Sequence, residues 1–249
     1  MKILITSGGT SEHIDDVRKI TNTATGRLGA LIAEEFTRTG ADVCYVCTHG
    51  AHTPPNADIV RVSSAASLMH TMESLLSEHT FHAVIHAMAV SDYAVSGTAS
   101  VTHLAHTAAE KLSQTQPQNS AETAKIIKQA MLDGLNNSGG KLSSNIEDLA
   151  VFMHKTPKII GVIKAKQPSA MLFGFKLLSG ANDAALLDAG HALLIKNNCD
   201  FVLANDSSRI DGDNHEAILI SPDKEYTKLH TKQEIAKTIV EKTIKGMNV

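Results

Sequence analysis

Tryptophan is absent from this sequence, aromatic residues make up only 4%, and cysteine occurs three times, at Cys44, Cys47 and Cys199. So sparse and odd a cysteine set excludes a disulfide scaffold and suits a reducing compartment. An excess of one charge is also lacking, since 23 Lys and Arg face 26 Asp and Glu for a net charge of −3. That balance excludes the basic stripe of a dedicated nucleic-acid or anionic-membrane binder. No hydrophobic run approaches a membrane span. The opening Met1-Lys2-Ile3-Leu4-Ile5-Thr6 turns polar at once and is too short for a signal segment, so a cytoplasmic location is expected. What is present is bulk: 249 residues with 43% hydrophobic content can bury a core without metal or disulfide staples.

Several chemistries lack their motifs. There is no GxGxxG fingerprint, no GxxxxGK[ST] loop and no GxSxG elbow. The 13 histidines make no HExxH spacing. Cys44-Tyr45-Val46-Cys47 has CxxC spacing, but it falls inside an expected strand, where alternate side chains point to opposite faces.

Short apolar runs alternate with segments of helical period. Strands are expected at Lys2–Thr6, Asp42–Thr48, Ile59–Val62, Ala83–Ala87, Leu149–Met153, Ala170–Phe175 and Asp200–Ala204. Helices are expected at Leu28–Thr39 (stopped by Gly40), Ala65–Leu76, after Pro157 and at Ala184–Ile195. Glu216–Ser221 and Tyr226–His230 read as a hairpin. Thr231 then caps a last helix, with Glu234 completing a capping box. This alternation predicts a single α/β domain over 1–249, its sheet mostly parallel and covered on both faces. Gly97 to about Ser138 differs: it is rich in Ser, Thr, Gln, Asn and Ala, and reads as a polar excursion carrying a weak helix at Ala121–Leu135.

Ligands of such sheets bind at the carboxyl ends of the strands, so polar residues there are the candidates. Gly8, Gly9 and Thr10 follow the first strand, either as an ordinary exit turn or as a cradle of backbone N–H groups for an anion. About twenty residues later comes Ile20-Thr21-Asn22-Thr23-Ala24-Thr25-Gly26-Arg27-Leu28-Gly29. Its hydroxyls, glycine and arginine before a helix suit a phosphate, the blander reading being N-capping by Thr25. Asp92, after the fourth strand, either accepts from a ribose or helps hold Mg²⁺, or else caps a turn. Lys141, beside Gly140, can swing onto a phosphate or simply be solvated. Asn205 and Asp206 end another strand at that edge. Lys196 closes a helix, where the dipole alone accounts for it.

Taken in order, Ile3–Arg18 (ILITSGGTSEHIDDVR), Ile20–Gly29 (ITNTATGRLG), Ile85–Tyr93 (IHAMAVSDY), Lys155–Ile160 (KTPKII), Gly174–Leu177 (GFKL) and Ile195–Ser207 (IKNNCDFVLANDS) resemble the phosphopantothenate–cysteine ligase family. The form resembled is the free-standing bacterial one. The resemblance implies a Rossmann-like three-layer fold, with residues 94–147 as a flap or dimerisation arm. It implies joining 4′-phosphopantothenate to L-cysteine in coenzyme A biosynthesis, with CTP as cosubstrate. In that chemistry an acyl-cytidylate forms as pyrophosphate leaves, and cysteine then displaces CMP. Asn22 and Lys141 are then the catalytic candidates. Gly8, Gly9, Thr10, Ala87, Met88, Ala89, Asp92, Phe175, Lys196, Asn205 and Asp206 would contact the nucleotide. By their charge and place before a helix, rather than by the resemblance, Thr25, Gly26 and Arg27 are expected to take the substrate's phosphate, and Mg²⁺ would be held mainly by the nucleotide phosphates. Met88 and the lone Lys141 depart from the two alanines and lysine cluster of many members. The former is expected to reshape the pocket wall. A homodimer is implied, with no nucleic acid or membrane partner. Two other classes stay open on the residues alone: a Rossmann-type NAD(P) oxidoreductase and a non-catalytic nucleotide-binding module.

Overall fold

The computed structural model describes residues 1–136 and 140–247; Ser138 and Gly139, at the end of the expected polar excursion, lie outside the described residues. The elements run β1 (Lys2–Ser7), β2 (Ser11–His13), β3 (Lys19–Thr21), α1 (Arg27–Arg38), β4 (Asp42–Thr48) and β5 (Asp58–Val62). They continue with α2 (Ala65–Glu78), β6 (Ala83–His86), β7 (Tyr93–Ser100), α3 (Val101–Thr115), α4 (Ser120–Asp133) and β8 (Leu149–Lys155). Then come α5 (Ile160–Lys166), β9 (Met171–Leu178), α6 (Asp183–Asn197), β10 (Phe201–Asp211), β11 (Asn214–Ile220), β12 (Tyr226–Thr231) and α7 (Lys232–Met247). The chain divides into two compact units. One comprises Met1–Thr10, Asn22–Val90 and Pro157–Val249; the other comprises Ser11–Thr21 and Ser91–Thr156.

The first unit is a three-layer α/β/α arrangement around an eight-stranded sheet of order β12-β11-β10-β9-β6-β1-β4-β5. Every pairing from β5 to β10 is parallel, and β11 and β12 add antiparallel strands at the other edge. The strict two-residue alternation of a strand sorts its side chains between the faces. Leu4, Val46, Val84, Leu172 and Val202 meet Leu68 and Met72 of α2, Ile163 of α5 and Leu186 of α6. Ile3, Ile5, Tyr45, Ile85, Phe173 and Leu203 meet Ile32 and Phe36 of α1 and Ile235 and Ile239 of α7. Burial on both faces explains why these strands read as continuous apolar runs. At the start of α7, Thr231 Oγ1 accepts from Glu234 N–H at 3.1 Å. The Glu234 carboxylate reaches back to His230 N–H at 2.7 Å rather than to Thr231, so half of the expected capping box forms.

The second unit holds two antiparallel ribbons, β2–β3 and β7–β8, and two helices that pack together, α3 and α4. Gly97–Ser138 therefore begins inside a strand and carries two helices, where the sequence suggested a single weak one. Ser100 caps α3 by accepting from His103 N–H, and Asn119 caps α4 by accepting from Glu122 N–H. The Asp148 carboxylate adds two bonds to the start of α3, from Thr102 N–H and from its hydroxyl.

Candidate active site

The site begins where β1 runs out. Gly8 has φ of 88°, and a Cβ there would fall 2.5 Å from Thr48 Oγ1, so only glycine serves. A backbone bridge then ties the ends of two neighbouring strands. Ala89 N–H donates to Gly8 C=O at 2.9 Å, and Thr10 N–H donates to Ala89 C=O at 3.0 Å. Asn22 crosses directly over Gly9, where an added Cβ would sit 2.7 Å from the Asn22 carbonyl oxygen. Asn22 N–H donates to Thr10 C=O at 3.2 Å, and its side-chain Nδ2 donates to Ala89 C=O at 3.1 Å. Gly8, Gly9, Thr10, Asn22, Ala87 and Ala89 are thus brought together as a ledge at the carboxyl ends of β1 and β6. The Met88 side chain points into the core shared with α2 and α5, so this departure from alanine does not reshape an exposed wall.

Beneath the ledge, Thr6 Oγ1 shares a 2.8 Å hydrogen bond with His86 Nδ1. Burial pushes the His86 pKa down to about 4, so the ring is neutral and structural at physiological pH. α1 starts beside the ledge. Its N-cap is Gly26 in the left-handed conformation with no capping side chain, so the expected cap by Thr25 does not form. Thr25 instead offers its carbonyl to His52 N–H at 3.0 Å. Gly29 is required because Ser7 Oγ would lie 2.2 Å from a Cβ there. Arg27, the first helical residue, pairs with Asp213 at 2.8 Å, and both side chains are at least half exposed. An uncapped helix start beside a half-exposed guanidinium suits an anion.

Across the parallel strands, Phe175 sits half-buried against the α1/α7 core and pairs in register with Leu203. At the end of β10, Asn205 is buried, 6% exposed. Asp206 is fully buried, and its carboxylate accepts from the Ser208 hydroxyl, Ser208 N–H and Ala181 N–H. The Ser208 hydroxyl, then the two backbone donors, hold its pKa down to about 2. Asp206 therefore fixes the turn between β9 and α6. Lys196 does not join the group. α6 runs back from the carboxyl end of β9, so its last turn lies at the amino edge of the sheet, where Asp200 N–H bonds Leu172 C=O.

Asp92 and Lys141 belong to the second unit, where Asp92 is exposed and its carbonyl accepts from Thr156 N–H at 3.0 Å. Lys141 is exposed and makes no ion pair among the described residues. Its neighbour Leu142 is held by Asp15 and Arg18, neither of them a candidate on the sequence alone. The available signal was an acid three positions before an arginine in a loop too long for a simple connection. Asp15 is held far below the usual carboxylate range by the Arg18 side chain, then by backbone N–H groups. Among the described residues no three His, Cys, Asp or Glu side chains cluster as a metal site, and no helix is long and apolar enough to cross a membrane.

Known proteins match this chain over nearly its whole length. A crystal structure of the DNA/pantothenate metabolism flavoprotein from Streptococcus pneumoniae superposes with a TM-score of 0.79 at 36% identity, covering 97% of each chain. A Cab2 mutant in complex with phosphopantothenate-cysteine shares the fold at 18% identity, with a TM-score of 0.67 over 98% of this chain and 86% of that one. The coenzyme A biosynthesis bifunctional protein CoaBC of Thermococcus kodakarensis is 27% identical over 96% of this chain and 49% of its own length. The chain thus spans about half the length of such curated relatives. The model of the DNA/pantothenate metabolism flavoprotein C-terminal domain matches residues 1–130 and 99–247, and this chain belongs to that family.

Proposed function

We propose that the chain is a ligase that joins 4′-phosphopantothenate to L-cysteine with CTP as the activating nucleotide. One observation carries the reading: the Asn22 carboxamide is fixed by Ala89 C=O across a glycine that admits no side chain. Family membership and a structural relative crystallised with phosphopantothenate-cysteine supply the substrate class. In this reaction the substrate carboxylate attacks the α-phosphorus of CTP and pyrophosphate leaves. The cysteine amine then adds to the acyl carbon, loses its proton, and CMP departs. We assign the Asn22 amide to the charge that develops on the acyl oxygen, because a neutral donor does not repel the incoming carboxylate. Gly8, Gly9, Thr10, Ala87 and Ala89 offer backbone groups to the nucleotide, and Phe175 and Asn205 serve its base end. Arg27 and the start of α1 take a phosphate, exchanging Asp213 for it. Lys141 keeps the role of a mobile phosphate-binding cation, and Asp92 that of a nucleotide contact. Mg²⁺ arrives on the nucleotide phosphates, where it would offset their charge.

We also assign the chain to a homodimer engaged through its second unit, whose Tyr93, Val101, Leu132, Leu149 and Met153 are large apolar side chains left exposed. Its substrates place it in the cytoplasm.

The test is pyrophosphate release with 4′-phosphopantothenate and Mg²⁺, with CTP or ATP, each with and without cysteine. CTP-dependent release that cysteine sustains is the expected result. Release with ATP alone overturns the nucleotide, and release with neither overturns the ligase. Asn22→Ala should lower kcat by about 10²–10³ while CTP binding, read by calorimetry, survives.

A further inference from the structure

The stretch from Gly140 to Ser144 has neither helix nor strand of its own, yet one point in it is firmly held. Leu142 N–H donates to Asp15 Oδ2 at 3.1 Å, and Leu142 C=O accepts from Arg18 Nη2 at 3.2 Å. Arg18 forks onto that same carboxylate oxygen, with Nε at 3.0 Å and Nη2 at 2.7 Å. The other oxygen, Oδ1, accepts Val17 N–H at 2.9 Å and Arg18 N–H at 2.6 Å. The Asp15 side chain is 1% exposed, so this is a buried acceptor with both of its oxygens engaged. On the other side of Lys141, Gly140 has φ of 116° and nothing within 4 Å of where a Cβ would be. Lys141 therefore stands between an open glycine hinge and a clamped peptide.

We propose that Asp15 is a positioning residue for Lys141, anchoring Leu142 so that the lysine swings from a fixed point. The inference rests on the reading of Lys141 as the phosphate-binding cation. An unanchored lysine on a glycine hinge samples many directions, and each one lost to misplacement lowers the fraction poised for reaction. Asp15 touches neither substrate nor nucleotide in this scheme; it acts through the backbone.

Asp15→Asn separates the two halves of the clamp. The side-chain oxygen can keep the Oδ1 bonds of the local turn, while the new NH₂ faces three donors that it cannot accept. Hydrogen exchange on the full chain should show the Leu142 amide exchanging at least tenfold faster, with the amides of β1 and β6 unchanged. In the ligation assay kcat should fall about tenfold with KM for CTP within twofold. The double variant Asp15→Asn/Lys141→Ala should be no slower than Lys141→Ala alone. The exposed neighbour Asp16→Asn should leave both readouts as in the parent. Unchanged exchange at Leu142, or losses that add in the double variant, overturn the proposal. If the parent shows no nucleotide-dependent ligation, the ligase reading fails, and exchange at Leu142 still decides whether Asp15 holds the loop.

Discussion

The first unit is held by what it hides from water, the second by what it pairs. The largest fully buried side chains, from Ile3, Leu4 and Ile5 through Phe36, Tyr45, Phe81, Ile85 and Phe173 to Ile159, all lie in the first unit. Among its described residues the second buries only Ala99, Leu104, Ala108 and Ala130 of the apolar ones, but it buries Asp15, Glu12 and Thr98 as well. Apolar burial is non-directional and cumulative, so it gives the ledge a rigid base. Hydrogen bonds to carboxylates are directional and few, so they fix points rather than surfaces. The ledge around Asn22 rests on the first kind of stability, and the segment that carries Lys141 rests on the second.

The largest effect expected from breaking this contrast comes from the core. Ile85→Ala should cost about 2–5 kcal/mol and weaken the whole first unit, read as a lowered denaturant midpoint. Leu104→Ala, at a large buried apolar side chain of the second unit, should instead speed hydrogen exchange in α3 and α4 and leave β1 and β6 protected.

Acid sharpens the contrast next. Both histidines with depressed pKa values, His86 and His215, lie in the first unit, each pushed down to about 4 by burial. Neither ring nitrogen of His215 has a partner among the described residues, and the nearby Lys232 opposes its protonation further. A base whose folded pKa is below its unfolded value contributes its full stability above the unfolded pKa, near 6.5. That stability is lost as pH falls from there towards 4. In the second unit the shifted groups are Asp15, Asp133 and Asp148, all depressed, so their contribution persists until pH falls below the ordinary carboxylate range. Melting followed by exchange at pH 5 should show the first unit losing on the order of 2 kcal/mol for each imidazole while the second holds. His215→Leu should flatten that loss. The smallest effect is a cap: Asn119→Ala should cost about 1 kcal/mol, confined to the first turn of α4.

The sheet was legible in the sequence because strands buried on both faces are unbroken apolar runs, as at Ile3-Leu4-Ile5 and Val84-Ile85. The second unit was legible only in part, at Ala121–Leu135, which forms most of α4, and at Leu149–Met153, which forms most of β8. α3 carries Val101, Leu104, Ala108 and Leu112 at helical spacing, but the alanines, threonines and histidines between them hide the period. β2 and β3 are three residues each, too short and too polar for their composition to mark them. On the ledge, Gly8 and Gly9 could be read because steric need leaves a trace in residue type, whereas Asn22 stood out through the family resemblance alone. Lys196 could not be placed, since proximity to Asn205 in sequence conceals the length of a strand and the reversal of a helix. Asp206 was grouped with Asn205, but it serves the fold by holding Ala181.

The pairing of β6 with β9 has a consequence for the growing chain. β6 is buried along all four of its residues, and its partner on one side, from Ala83↔Met171 to His86↔Gly174, is made some 85 residues later. At about 5–20 residues per second, the ribosome leaves that apolar strand edge open for roughly 4–17 s. An open edge of this kind is a template for the wrong strand. The nascent protein is thus most exposed to misassembly while the second unit is being synthesised, and slowing translation over 91–156 should lower the soluble yield without altering the finished molecule.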